Sequence, residues 1–180
     1  MDKIAVVYKS KYGSTKKYAH WIADDAKADL YECSQVDINK LIEYDTIIYG
    51  GGLYASGIAG VSIITKNYNL IKDKSIIVFT VGLADPENKE IFTNVIEKNF
   101  PSEEMRESIK FFHLRGGIDY KKLGIIHKSM MAMLKIMLSK KDASELSNED
   151  KELLATYGGK IDFTDRTTIK PLITFLIEKS

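Results

Sequence analysis

Cysteine and net charge are both nearly absent from this chain, and each absence closes off a class of protein. Cys33 is the one cysteine among 180 residues. No disulfide can close within the chain, so a reducing setting, the cytoplasm, is expected. The 26 lysines and arginines almost cancel the 25 acidic residues, giving +1. Such a balance provides no overall field for nucleic acid, and no nucleic-acid partner is expected. No uncharged apolar run reaches the roughly 18 residues a spanning helix needs. The first apolar run begins at Ile4, which leaves no room for a signal peptide. Repeats, low-complexity tracts and linkers are also missing, so one domain over residues 1–180 is expected.

What is present is an alternation of two periodicities. Residues 3–8 (KIAVVY), 29–34, 46–49 (TIIY), 74–81 (KSIIVFTV) and 109–114 (IKFFHL) read as five strands. Three of them are continuous apolar runs, as strands covered on both faces should be. Between them lie helical stretches at 14–27, 61–70 and 87–99, with a last helix over about 165–179. In the first, Tyr18, Ile22 and Ala26 recur at spacings of four. Pro86 falls near a helix start, where proline is tolerated, and Pro171 demands that the last helix begin close to it. Strands alternating with helices imply parallel pairing through crossovers. The expected fold is α/β, a doubly wound five-stranded parallel sheet of order 2-1-3-4-5 with helices on both faces. A further helical segment follows the fifth strand, at about 120–160.

The polar and glycine-rich stretches all follow strands: 10–15, 50–57, 82–85 and 116–117. In such sheets ligands bind at the carboxyl ends of the strands. The first stretch, Ser10-Lys11-Tyr12-Gly13-Ser14-Thr15, leads straight into a helix. A helix N-terminus offers unpaired N–H groups and partial positive charge. Hydroxyls at Ser10, Ser14 and Thr15, with Gly13 allowing close approach, suit a phosphate there. A plain helix cap would account for one of these hydroxyls but not for all three with the glycine. The loop lacks the glycine-lysine-hydroxyl ending of a Walker loop and the GxGxxG of a dinucleotide site, so NAD is not expected.

"SKYGST" resembles the phosphate loop of flavodoxins. Gly50-Gly51-Gly52-Leu53-Tyr54-Ala55 is similar to that family's second flavin loop, with Tyr54 at the place of an aromatic that stacks on the flavin. Thr80-Val81-Gly82-Leu83 is similar to the third. The resemblance implies FMN as cofactor. It places Ser10, Lys11, Tyr12, Gly13, Ser14, Thr15, Gly51, Gly52, Leu53, Tyr54, Ala55, Thr80, Val81, Gly82, Leu83, Gly116 and Gly117 around the cofactor. The flavin would carry the chemistry, so no catalytic side chain is assigned. The region 113–141 together with 162–172 resembles the menaquinone-dependent protoporphyrinogen dehydrogenase branch. That implies oxidation of a tetrapyrrole precursor with a quinone acceptor; the alternative is an electron carrier of flavodoxin type without its own substrate. Two departures weigh against a plain carrier. The chain is neutral where carriers are acidic, and Ala55 stands where carriers often have glycine, which disfavours the one-electron-reduced flavin.

Residues 120–141 carry Lys121, Lys122, Lys128, Lys135, Lys140 and Lys141 with no acidic residue. Ile126, Met130, Met133, Leu134 and Met137 form an apolar stripe at helical spacing. Such a segment can pack on the sheet or on a second copy, hold a large apolar anion, or lie on an anionic membrane face. An electron-transfer or small-molecule partner, peripheral contact at the inner membrane face through 121–141, and an oligomer all remain open. His20 and His113 read as structural, His127 belongs to the basic segment, and Cys33 reads as a small core residue. No metal is expected, because these residues lack metal-ligand spacing.

Overall fold

The computed structural model describes residues 2–179. The strands are β1 (Ile4–Lys9), β2 (Asp29–Glu32), β3 (Thr46–Tyr54), β4 (Gly57–Ile58), β5 (Ser75–Gly82), β6 (Lys110–Arg115), β7 (Gly117–Asp119) and β8 (Lys160–Asp162). The helices are α1 (Ser14–Ala26), α2 (Ile38–Leu41), α3 (Ser62–Thr65), α4 (Tyr68–Ile71), α5 (Lys89–Asn99), α6 (Glu103–Ser108), α7 (Ile125–Ser139), α8 (Asn148–Thr156) and α9 (Lys170–Lys179). The main sheet runs β2-β1-β3-β5-β6, all parallel, and β4 folds back antiparallel on β3. This is the doubly wound order expected from the sequence, once the small return strand is numbered.

Alternation along each strand divides the core between two faces. Val6, Tyr8, Ile48, Ile77 and Phe79 pack on one side with Tyr18 and Ile22 of α1 and with Leu172 and Leu176 of α9. Ala5, Val7, Ile47, Tyr49 and Val78 pack on the other with Leu41, Ile64, Ile71 and Val95. Ile22 is fully buried, and a side chain of that size contributes about 1.5–3 kcal/mol by leaving water. Helix α1 stops at Lys27, which adopts φ +52°. Pro171 is the second residue of α9, within the first turn, where its missing N–H breaks no helical bond.

Several expected boundaries move, each for a visible reason. Strand β3 does not end at Tyr49 but runs on through Gly50, Gly51 and Gly52. A side chain at Gly50 would lie 2.1 Å from Phe79 Cζ, and one at Gly51 2.4 Å from Ile58 Cγ2. The glycines therefore let neighbouring side chains cross the strand rather than making a loop. The helix expected at 61–70 is two single turns, α3 and α4, broken at Asn67, whose side-chain amide donates to Ile63 O at 2.9 Å. Crowded β-branched residues (Val61, Ile63, Ile64, Thr65) weaken continuous helix there. Helix α6 was not anticipated. Nor was the antiparallel pair β7–β8, which registers Gly117 with Asp162 and closes the added segment on itself. Ile118, Tyr120 and Leu123 form a small third core beside it.

Candidate functional site

The carboxyl ends of β1, β3, β5 and β6 converge on one cavity of about 160 Å³. Its floor begins at the β1–α1 loop. Gly13 turns the chain into α1 with φ +100°, and no side chain caps the helix. The first turn of α1 carries no acidic residue and two lysines, Lys16 and Lys17. Ser10 Oγ accepts from Gly13 N at 3.1 Å, which folds the loop over the helix end. Ser14 Oγ accepts from Gly117 N at 3.1 Å, tying this loop to the one after β6. Thr15 is buried against the same space. The result is a cradle of amides and hydroxyls with positive helix-end potential, which suits a phosphate.

The two side walls come from β3 and β5. Gly52, Leu53, Tyr54 and Ala55 supply one; Val81, Gly82 and Leu83 supply the other. A side chain at Gly82 would press on Leu53 at 3.1 Å, and one at Gly116 would lie 2.8 Å from Val81 Cγ1. Backbone, not side chain, therefore forms much of the wall, leaving a slot for a flat ring.

Tyr54 leads into a two-residue hairpin turn. Ala55 and Ser56 both lie in the left-handed region, at φ +49° and +64°. This is the primed turn that strand twist favours, built here without glycine at either central position. The end of α5 holds it. Lys98 Nζ donates to Ala55 O at 2.9 Å, and Asn99 Nδ2 donates to Ser56 O at 2.7 Å. Asn99 Oδ1 also accepts from Ile58 N at 3.0 Å.

The fourth side belongs to the added segment. Leu123, His127, Met130 and Met131 line the cavity, and Ile118 joins them from β7. The His127 ring stacks on Tyr54 with centroids 4.9 Å apart and planes at 13°. Its Nδ1 lies 2.6 Å from Tyr12 Oη, which itself accepts from Gly124 N at 3.3 Å. Partial burial, with the nearby Lys11 ammonium adding to it, lowers the imidazole's pKa. The Tyr54 phenol is shifted upward by burial.

Thirteen of the seventeen positions expected around the cofactor line this cavity, and four do not: Lys11, Gly13, Gly51 and Thr80. Gly13 acts through the turn it permits, and Gly51 sits one residue back in β3. Thr80 points away from the slot. Its hydroxyl pairs with His113 Nδ1 at 2.8 Å, and the His113 ring lies against Phe92 at 3.8 Å. Burial pushes the pKa of His113 down to about 4. His127 and Met131 were not singled out as cavity residues. Their only signal was membership of the methionine-rich basic segment, which says nothing about which helical face turns inward.

The structure contains the pieces that FMN requires. The phosphate end is an open cradle of hydroxyls and amides as it stands. The ring end is a backbone-walled slot against Tyr54, narrower than the roughly 300–1,000 Å³ usual for ligand sites. One face of Tyr54 is covered by His127, so a flavin ring on that face takes the place of the imidazole.

A family model for the flavodoxin domain matches residues 5–146. Among solved structures, a flavodoxin, WrbA-like protein from Agrobacterium tumefaciens is 18% identical over 88% of this chain and 93% of its own, with a TM-score of 0.49. Flavodoxin 1 from Bacillus cereus is 16% identical, covering 63% of this chain and 84% of its own, at 0.46. Rubredoxin oxygen:oxidoreductase from Desulfovibrio gigas is 12% identical, covering 99% of this chain and 37% of its own, at 0.49. No curated protein matches the chain. The family model spans most of the sequence and ends inside the added segment, and the cavity lies where the four strand ends meet. The chain belongs to the flavodoxin-domain family, and its cofactor is FMN.

Proposed function

We propose that the protein is an FMN-dependent oxidoreductase acting on a large, flat organic substrate of the protoporphyrinogen type, with a quinone as electron acceptor. The observation that supports this is the fourth wall of the cavity. Leu123, Met130 and Met131 face the same space as the loops after β3 and β5. A carrier must leave the edge of its flavin to partner proteins, whereas here a helix stands over it.

Bound FMN supplies the hydride and electron chemistry. The chain's own groups bind, orient and exclude water. Ser10, Ser14, Thr15 and the amides opening α1 would hold the phosphate. Tyr54 and Leu83 would flank the ring, with the Ala55–Ser56 turn fixed by Lys98 and Asn99. Methionines adapt to irregular apolar ligands, so Met130 and Met131 suit a broad ring system. Lys122, exposed beside the phosphate loop, suits substrate carboxylates.

The test is reconstitution with FMN followed by anaerobic turnover of protoporphyrinogen with a menaquinone analogue. Met130 is 39% exposed, so Met130→Glu should fold. It is expected to lower turnover at least about tenfold by misplacing substrate, while the variant still binds FMN and is still reduced by dithionite. No turnover with any quinone, alongside ready electron exchange with small redox proteins, would return the chain to the carrier reading.

A further inference from the structure

Helix α7 has two apolar faces, and the fold uses one. The inner face turns Met131 and His127 into the cavity and buries Leu138 at 4% exposure. The outer face carries Ile125, Ile126, Met133, Ile136 and Met137, exposed by 85, 75, 65, 56 and 59%. At about 100° per residue these five fall within an arc of roughly 120°. Nothing else in the described chain gathers large apolar side chains this exposed on one element. Of the stripe read from the sequence, Ile126, Met133 and Met137 thus face outward, while Met130 lines the cavity.

Positive charge lines one flank of that arc and both of its ends. Lys128 and Lys135, seven residues apart, run along the flank between the outer and inner faces. Lys121 and Lys122 precede the helix, and Lys140 and Lys141 follow it. No acidic residue lies between 120 and 141, although the whole chain carries a charge of only +1. No described helix is long and apolar enough to cross a membrane. At 15 residues, α7 is about 22 Å long, short of the roughly 30 Å of a hydrocarbon core.

We infer that α7 docks the protein on the surface of an anionic lipid bilayer. The helix lies in the interfacial plane, with the outer isoleucines and methionines at the acyl boundary and the lysines at the level of the lipid phosphates. A second copy is the poorer occupant, because pairing this face with itself in antiparallel register sets the Lys128 and Lys135 flank against its own copy, and the helix carries no carboxylate to offset it. A bilayer of anionic lipids supplies both the apolar layer and the opposing charge. The docking helix is also the cavity's fourth wall, so the site opens beside the membrane surface.

Vesicle co-sedimentation of the full-length, flavin-free protein tests this, and its result does not depend on whether the redox reading holds. Vesicles of phosphatidylcholine alone are compared with vesicles that also contain phosphatidylglycerol. Binding is expected to the second kind and to weaken with salt. Lys128→Glu and Lys135→Glu should each weaken it about fivefold or more. Met133→Asp with Ile136→Asp should abolish it, with an unchanged circular dichroism spectrum and melting temperature, since both side chains are exposed. Equal binding to neutral and anionic vesicles, no binding to either, or binding unmoved by these substitutions overturns the proposal. So does a stable dimer in light scattering that the aspartate variant dissolves without any vesicle binding, which would assign the face to a second copy.

Discussion

The His127 imidazole lies parallel to the Tyr54 phenol, 4.9 Å away, while its Nδ1 is hydrogen-bonded to Tyr12. A residue of the added helix thus occupies one face of the aromatic ring that stands at the flavin position. A ring arriving on that face displaces an existing contact rather than entering open space. Stacked pairs contribute about 0.5–1.5 kcal/mol. His127→Ala is therefore expected to tighten FMN binding by roughly two- to tenfold. Titration of flavin fluorescence on the apoprotein measures it; weaker binding in the variant would make His127 a supporting wall instead.

The hairpin at Ala55 and Ser56 carries strain that glycine would relieve. Ala55→Gly removes a left-handed alanine and should be neutral to stabilising, by up to about 1 kcal/mol, unlike most glycine substitutions. Asn99→Ala removes both the donor to Ser56 O and the acceptor for Ile58 N, and should destabilise by about 1–3 kcal/mol. Denaturant melts of the two variants should move in opposite directions or, at the least, only Asn99→Ala should fall. The one-electron-reduced flavin should also gain yield in Ala55→Gly during photoreduction, because the turn becomes freer to move.

His113 makes stability depend on pH with a definite sign. Its folded pKa is near 4, below the ordinary value of about 6.5. The unfolded chain therefore binds more protons between those values, and stability rises with pH through that window and is lost on acidification. The contribution is at most about 3 kcal/mol. Melting temperatures from pH 4 to 7 in the parent and in His113→Asn should diverge in slope; parallel curves would remove the assignment.

Gly13 and Gly50 are both glycines near the site, but they fail differently. A side chain at Gly13 meets no atom within 4 Å, so Gly13→Ala costs about 1 kcal/mol through its φ of +100° alone. FMN affinity should fall with little change in fold. Gly50→Ala drives a methyl group into Phe79 and should destabilise by about 1–3 kcal/mol, with partial recovery in Gly50→Ala with Phe79→Leu. Thermal melts alongside flavin titrations separate the two effects.

The strand order and the phosphate loop were legible in the sequence for the same reason. Both are written locally, in the valine run of β1 and in the hydroxyls and glycine that follow it. Gly50 to Gly52 misled because glycine marks loops and close crossings alike, and only the positions of Phe79, Ile58 and Tyr54 distinguish them. Thr80 misled because its neighbours Val81 and Gly82 do reach the slot, while strand alternation turns its own hydroxyl toward His113. The added segment was legible in its charge and its methionines. Its docking was not, because it depends on Gly117 pairing with Asp162, a contact between short strands too distant in sequence to leave a periodic trace.

That β7–β8 ladder also makes the segment from Tyr120 to Gly159 a single excursion whose two ends meet. Closing such a loop costs entropy that grows only with the logarithm of its length. Insertions or deletions inside it should therefore barely disturb the parallel sheet, while reshaping the wall over the cofactor and the face turned outward. The scaffold and the added segment can change at different rates, because the backbone enters and leaves the segment at one short seam.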